Sequence, residues 1–182
     1  IGEDVSKEIP MTRLLQGEVG SGKTVVAALF LYLTARSGFQ SVLLAPTEIL
    51  AEQHFDKLSP LLSSLGVSSA LVTGSLEAGE RTGVRENAER GRVSVLIGTH
   101  ALLQTDLKFQ KLGLVVIDEQ HRFGVRQQGQ LLERHPRPHL LVMSATPIPR
   151  SLGLTLYGDF DISTIRELPR GRTPVKTYWI NQ

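Results

Sequence analysis

"LLQGEVGSGKTVVAALFL", residues 14–31, decides the fold. An apolar run enters a glycine-rich turn that ends in Lys23-Thr24, and a second apolar run leaves it. Gly17, Gly22, Lys23 and Thr24 fit the spacing G-x-x-x-x-G-K-[ST], in the required setting of a strand before and a helix after. Gly20 and Gly22 let the backbone turn tightly enough for the successive N–H groups of Gly17, Glu18, Val19, Gly20, Ser21, Gly22, Lys23 and Thr24 to converge on phosphate oxygens. That convergence falls at the positive end of a helix starting near Lys23. Lys23 then reaches the β and γ phosphates of a nucleotide, and the Thr24 hydroxyl takes a place on Mg²⁺. The bland alternative is a β-to-α turn that holds nothing, although a buried strand, these identities and a helix rarely coincide without a phosphate.

Working outward, short runs rich in Val, Leu and Ile recur at 13–16, 41–45, 68–74, 93–99, 112–119, 139–146 and 162–168. Each suits a strand covered on both faces. Helical stretches are expected near 23–36, 47–64, 77–90, 124–134 and 147–156. Alternation of the two kinds predicts an α/β fold with a mostly parallel sheet, right-handed crossovers and helices on both faces. "LPRGRTPV" (168–175) reads as a linker and "VKTYWI" (175–180) as a strand of a following unit. The expected organisation is therefore one domain over 1–170, then a linker and the start of a second domain over 171–182.

"LVVIDEQH" places Asp118, Glu119, Gln120 and His121 at the end of an apolar strand, where open α/β sheets bind ligands. Asp118 is positioned to hold Mg²⁺ through its water shell, and Glu119 to orient and deprotonate an attacking water. Alone, an Asp-Glu pair can simply end a strand. "MSATPIPR" (143–150) brings Ser144, Ala145 and Thr146 to another strand end, where small hydroxyls can sense a γ-phosphate; an ordinary strand-to-loop junction has the same composition. His135 and His139 stand four apart, a metal-ligand spacing on a helix, but the two prolines between them break that helix. His54, in "LAEQHF", reads as a surface helix residue.

Composition limits the rest. The 182 residues are 41% hydrophobic and 21% charged, which indicates a globular chain. No apolar run approaches the ~20 residues of a spanning helix, and the acidic start "IGEDVSKEIP" does not read as a signal peptide. With no cysteine, disulfides and zinc-thiolate sites are excluded, in keeping with a reducing, cytoplasmic setting. Residues 1–121 carry 11 Lys and Arg against 14 Asp and Glu, whereas 122–182 carry 9 against 4. The basic second part hints at a polyanionic partner, and a solvated arginine-rich face would give the same count.

"GEVGSGKT", "APTEILAEQ", "VTGS", "IGTHALLQ", "DEQH" and "SATPIPR" together resemble, in order and spacing, motifs I, Ia, Ib, Ic, II and III of the superfamily 2 helicases. More narrowly, "RLLQGEVGSGKT", "IDEQHRFGVRQ", "ATPIPRSL" and "ELPRGRTPV" resemble the first motor domain of the RecG family of bacterial branched-DNA helicases, from about Met11 to the end of the chain. Transcription-repair coupling translocases share "RFGVR" and "ATPIPR", but usually carry a second Glu at the place of Gln120 and lack the "GRTPV" exit. The resemblance implies a RecA-like P-loop NTPase domain that binds and cleaves ATP with Mg²⁺ and acts on branched DNA in recombination and repair. Gln120 and His121 would couple nucleotide to the facing domain, and Ser144, Ala145 and Thr146 would link hydrolysis to DNA movement. Pro46, Thr47 and Glu48 would start a helix that faces a DNA phosphate, and Thr73, Gly74, Gly98, Thr99 and His100 would do likewise from their loops; backbone N–H groups and small hydroxyls suit such a surface because they hold phosphates without reading bases. Thr47 also suits a helix N-cap.

Such enzymes carry an adenine-reading Gln upstream of motif I, a second motor domain that closes the ATP site with arginines, and, in the RecG family, a fork-binding wedge domain. None has a counterpart in these residues, so the expectation is one half of a cytoplasmic, nucleoid-associated motor. A nucleotide switch that works without DNA is the other class of function. It would not need "APTE" and "GTHALLQ" on the same sheet edge. A small-molecule phosphotransferase would need a lid of clustered arginines that the sequence lacks.

Overall fold

A computed structural model describes residues 2, 9–99, 102, 107–118, 136–146 and 160–167. Along the chain run β1 (Thr12–Gly17), α1 (Lys23–Arg36), β2 (Gln40–Leu44), α2 (Glu48–Ser64), β3 (Ser69–Val72), α3 (Ala78–Glu89), β4 (Val95–Gly98), β5 (Leu112–Asp118), β6 (His139–Ser144) and β7 (Asp161–Ile165). The seven strands form one sheet in the order β3-β4-β2-β5-β6-β1-β7, and every pairing is parallel. All seven expected strands are present, and the sheet is more uniform than the mostly parallel one anticipated. The helices expected at 124–134 and 147–156, and the segment 168–182, lie outside the described residues.

Side chains alternate across the sheet, as the period of two in a strand demands. Leu15, Leu43, Ile97, Val116 and Leu141 pack on one face against Ala27, Phe30 and Leu31 of α1 and Leu58 and Leu62 of α2. Leu14, Val42, Leu96, Val115 and Val142 pack on the other, with Ala88 and Val84 of α3. Handedness explains this division. The β1–β2 and β2–β3 connections step towards the β3 edge, and their helices share a face. The β3–β4 connection steps back, so its helix lies on the opposite face.

Buried polar groups pin the frame at the N-terminal edge. Gln40 is 4% exposed; its Nε2 donates to the carbonyls of Ala88 (2.9 Å) and Val93 (2.8 Å), and its Oε1 accepts from the N–H groups of Gln110 (2.7 Å) and Lys111 (3.3 Å). All of its hydrogen-bonding capacity is used, as burial requires. At the start of β6, His139 Nδ1 accepts from the backbone N–H of Met11 at 2.9 Å, and burial holds its pKa below the usual histidine value. This histidine therefore ties β6 to the chain entering β1.

Gly98 ends β4 where a side chain has no room. A Cβ there would run into the backbone carbonyl of Val72 and lie 2.9 Å from Leu102 Cδ1. Gly98→Ala is expected to cost about 1–3 kcal/mol through overpacking, while Gly83→Ala, on an open face of α3, should be stabilising by roughly 0.5–1 kcal/mol. Denaturant midpoints of the two variants check this; a Gly98→Ala midpoint equal to that of the parent would show that β3 and β4 part easily.

Candidate functional site

The C-terminal ends of the strands form one edge, and its two halves differ. On the half formed by β5, β6 and β1, strand β6 lies between the other two, with Ser144 level with Gln16 of β1 and Met143 level with Asp118 of β5. The "LLQG" run, the "VVID" run and the Ser144-Ala145-Thr146 turn therefore end side by side.

β1 delivers the chain to the glycine-rich loop. Gly17 is tightly enclosed: a Cβ there would lie 2.5 Å from Ser21 Oγ and 3.2 Å from Ile165 Cβ, so a side chain would displace both. Gly20 (φ 83°) and Gly22 (φ 98°) hold left-handed backbone, the conformation that glycine adopts without steric penalty. Inside the turn Ser21 N donates to the Glu18 carbonyl at 3.1 Å. Val19 at the tip is exposed. The loop opens straight into α1, whose N-cap Gly22 brings no side-chain acceptor and whose first turn holds no acidic residue. The positive helix end is left to be satisfied by an anion. Lys23 Nζ donates to the carbonyls of Gly17 (2.6 Å) and Glu18 (3.0 Å), so its ammonium lies over the loop and the side chain is half-buried, not fully exposed.

Thr24, in the first turn of α1, and Asp118, at the end of β5, line one cavity of about 410 Å³ in the groove between α1 and α2, whose walls include His54 and Lys57 as well as the apolar Val25, Leu50, Leu58 and Leu61. This brings together the two residues expected to hold Mg²⁺. The donor set, a hydroxyl and a carboxylate beside a phosphate-sized cradle, fits a hard divalent cation that retains several waters. Within the cradle Ser21 Oγ is buried with no hydrogen-bond partner among the described residues, a polar atom suited to an oxyanion. In the next strand Ser144 Oγ lies 3.0 Å from Thr146 Oγ1 and accepts from Thr146 N at 3.2 Å, which closes the strand end into a small hydroxyl turn.

The other half of the edge, β2, β4 and β3, collects the described residues expected to face a DNA backbone. Thr47 caps α2, its Oγ1 accepting from Leu50 N at 3.3 Å. Glu48 Oε1 accepts from Gly74 N at 2.8 Å, Thr73 Oγ1 lies 2.9 Å from Ser75 Oγ, and Arg81 donates to the Gly74 and Leu76 carbonyls at 3.0 and 3.1 Å. Ala45, preceding Pro46, donates to Gly98 O at 2.8 Å, and Thr99 N donates to Val72 O at 3.3 Å. Glu48 and Gly74 thus brace each other across two loops. Glu119, Gln120, His121 and His100 lie outside the described residues.

One expectation is overturned. His54 is not a surface residue: its side chain is 12% exposed, and its Nε2 lies 2.7 Å from Oδ2 of Asp118, itself 15% exposed. The signal was present in the sequence, because His54 stands three residues after Ala51 and four before Leu58, both buried on the inward stripe of α2.

Comparison with known proteins follows the same pattern. The DEAD/DEAH box helicase family model matches residues 3–154. The ATP-dependent DNA helicase RecG of Aquifex aeolicus is 54% identical over 177 residues, covering 96% of this chain and 22% of that protein. RecG of Bacillus subtilis is 49% identical over 180 residues, covering 99% and 26%. The chain thus spans about a quarter of the length of these relatives. A solved RecG bound to a three-way DNA junction superposes with a TM-score of 0.80 at 45% identity, covering 95% of this chain and 23% of that one. A DEAD box protein from Methanococcus jannaschii shares the fold, with a TM-score of 0.65 at 19% identity and coverage of 85% and 46%.

Proposed function

The chain belongs to the DEAD/DEAH box helicase family, and we propose that it is the ATP-binding half of a RecG-type motor that works on branched DNA in recombination and repair. The observation that carries this reading is the convergence of Thr24, in the first turn of α1, and Asp118, at the end of β5, on one cavity next to the glycine cradle. A phosphate-binding turn alone would suit many nucleotide proteins. Joined to a carboxylate-ended strand, to a hydroxyl turn between the two, and to a second group of loops on the same edge, it suits an engine that passes nucleotide state to a backbone-holding surface.

In this reading the N–H groups of Gly17 to Thr24 grip the phosphates, and Lys23 exchanges its bonds to the Gly17 and Glu18 carbonyls for the β and γ oxygens. Thr24 and Asp118 would hold Mg²⁺, which when bound neutralises charge developing on the phosphate oxygens. Glu119 takes the proton from the attacking water, while Gln120 and His121 report on the facing motor domain. Ser144 and Thr146, between the β1 and β5 ends, are placed to pass on loss of the γ-phosphate. Thr47, Thr73, Thr99 and His100 offer backbone N–H and hydroxyl contacts to DNA phosphates, with Pro46 leading into α2 and Glu48 and Gly74 keeping their segments in register. The second motor domain and a wedge domain would come from a longer protein, acting in the bacterial cytoplasm at the nucleoid. Among the described residues, no helix is long and apolar enough to cross a membrane.

Glu119→Gln separates binding from chemistry. It keeps size and removes the basic carboxylate, so in the full-length protein nucleotide affinity should stay within about threefold while hydrolysis falls by roughly a hundredfold or more. Equal loss of both, read from equilibrium nucleotide binding and steady-state phosphate release, would make Glu119 a structural or metal-holding residue instead.

A further inference from the structure

The ring of His54 joins two elements far apart in sequence. It is the seventh residue of α2, and Asp118, 64 positions later, is the last of β5. An ionised carboxylate can only accept, so the imidazole donates through Nε2 to Oδ2 of Asp118. Both side chains are largely buried, and both line the cavity that also holds Thr24. The helix carrying the histidine is itself fixed at its start, by the Thr47 cap and by the Glu48 bond to Gly74, and on its inward stripe by Ala51, Leu58 and Leu62. The donor is therefore held in place before any ligand arrives.

An Asp side chain at a strand end can rotate about two bonds, and a carboxylate that rotates must lose that freedom when it takes up a cation. With Oδ2 engaged by a rigid donor, the carboxylate is fixed in one orientation and Oδ1 is left to serve the cavity. We propose that His54 is a positioning residue that presets the Asp118 carboxylate for the divalent cation accompanying the nucleotide. This rests on the assignment of Asp118 to Mg²⁺ made above. Hydrogen-bonded partners of metal-holding groups of this kind change metal affinity by about 10–100-fold when removed. A bond that merely fastened α2 to β5 would instead affect unfolding and leave the cation dependence alone.

The test uses the full-length protein and a fluorescent ADP derivative, whose binding is followed as Mg²⁺ is raised. His54→Leu fills the space without a hydrogen bond, and His54→Gln places an amide donor near the position of Nε2. His54→Leu should raise the Mg²⁺ midpoint by about tenfold or more, with magnesium-free nucleotide binding unchanged, whereas His54→Gln should recover to within about threefold of the parent. An unshifted midpoint in His54→Leu overturns the proposal, and so does an equal shift in both variants. Should His54→Leu fail to fold by circular dichroism, His54→Ala is judged by the same criteria. Asp118→Asn serves as the reference: if it leaves the midpoint unmoved, the assignment of Asp118 itself falls, and if it alone shifts the midpoint, only the role of His54 does.

Discussion

Lys23→Ala is expected to abolish steady-state ATP turnover, with a loss on the order of 10²–10³-fold or more, the scale seen when a preorganised charge stabiliser is removed. The side chain lies over the loop with its ammonium on the Gly17 and Glu18 carbonyls, where an incoming β- or γ-phosphate replaces those acceptors with stronger, charged ones. Alanine leaves the cradle of N–H groups intact but without the Lys23 ammonium. The fold should survive, because the two carbonyls border solvent at the loop and hydrate when the ammonium is gone, and because α1 is held by Ala27, Phe30 and Leu31 in the core rather than by Lys23. The expected result is a melting curve close to that of the parent, weakened nucleotide binding and no measurable phosphate release. Near-normal hydrolysis by this variant would remove the phosphate site from residues 17–24.

The glycine-rich turn was legible because its geometry is local. The glycine positions, the strand before and the helix after are set by neighbours within about twenty residues, and Gly20 and Gly22 take the positive φ that the spacing implied. Strand existence was legible for the same reason, since Val- and Leu-rich runs announce burial wherever they end up. Neighbour choice was not: β1 lies between β6 and β7, strands that follow it by more than a hundred residues, and no local pattern encodes which partner wins. Edge status was hidden as well. "SALV" reads as apolar as the central strands, yet β3 lies at the margin and is only partly covered, whereas the three polar residues of "DISTI" already suited the exposed edge position that β7 takes. Thr47 proved to be a cap, as its residue type allows. His54 and Gln40 were missed because a polar residue gives no sign in sequence of a partner brought near by the fold, although the spacing of His54 from Ala51 and Leu58 already placed it on the inward face.

The second large effect concerns what this chain does alone. Transition-state charge in a cleft ATPase is stabilised by an arginine reaching across from a facing domain, a contribution on the order of 10³–10⁵ in rate. Among the described residues no arginine lines the cavity of Thr24 and Asp118. Arg13 is engaged at the β7 edge with Asp161 and Ser163, and Arg81 with the Gly74 and Leu76 carbonyls beyond β3. With such an arginine supplied by a facing domain, the 182-residue chain is expected to bind MgADP weakly and to hydrolyse ATP at least about a thousandfold more slowly than the full-length protein. Its hold on DNA should also be weak and steeply salt-dependent, because one domain contacts few phosphates.

Phosphate release by the purified chain, with and without a model fork and beside the full-length protein, tests the two-domain account most directly. Fork-stimulated hydrolysis is expected from the full-length protein and almost none from the chain alone, with or without the fork. Robust fork-stimulated hydrolysis by the 182 residues alone would mean that a complete catalytic site lies within them, and would contradict the two-domain account.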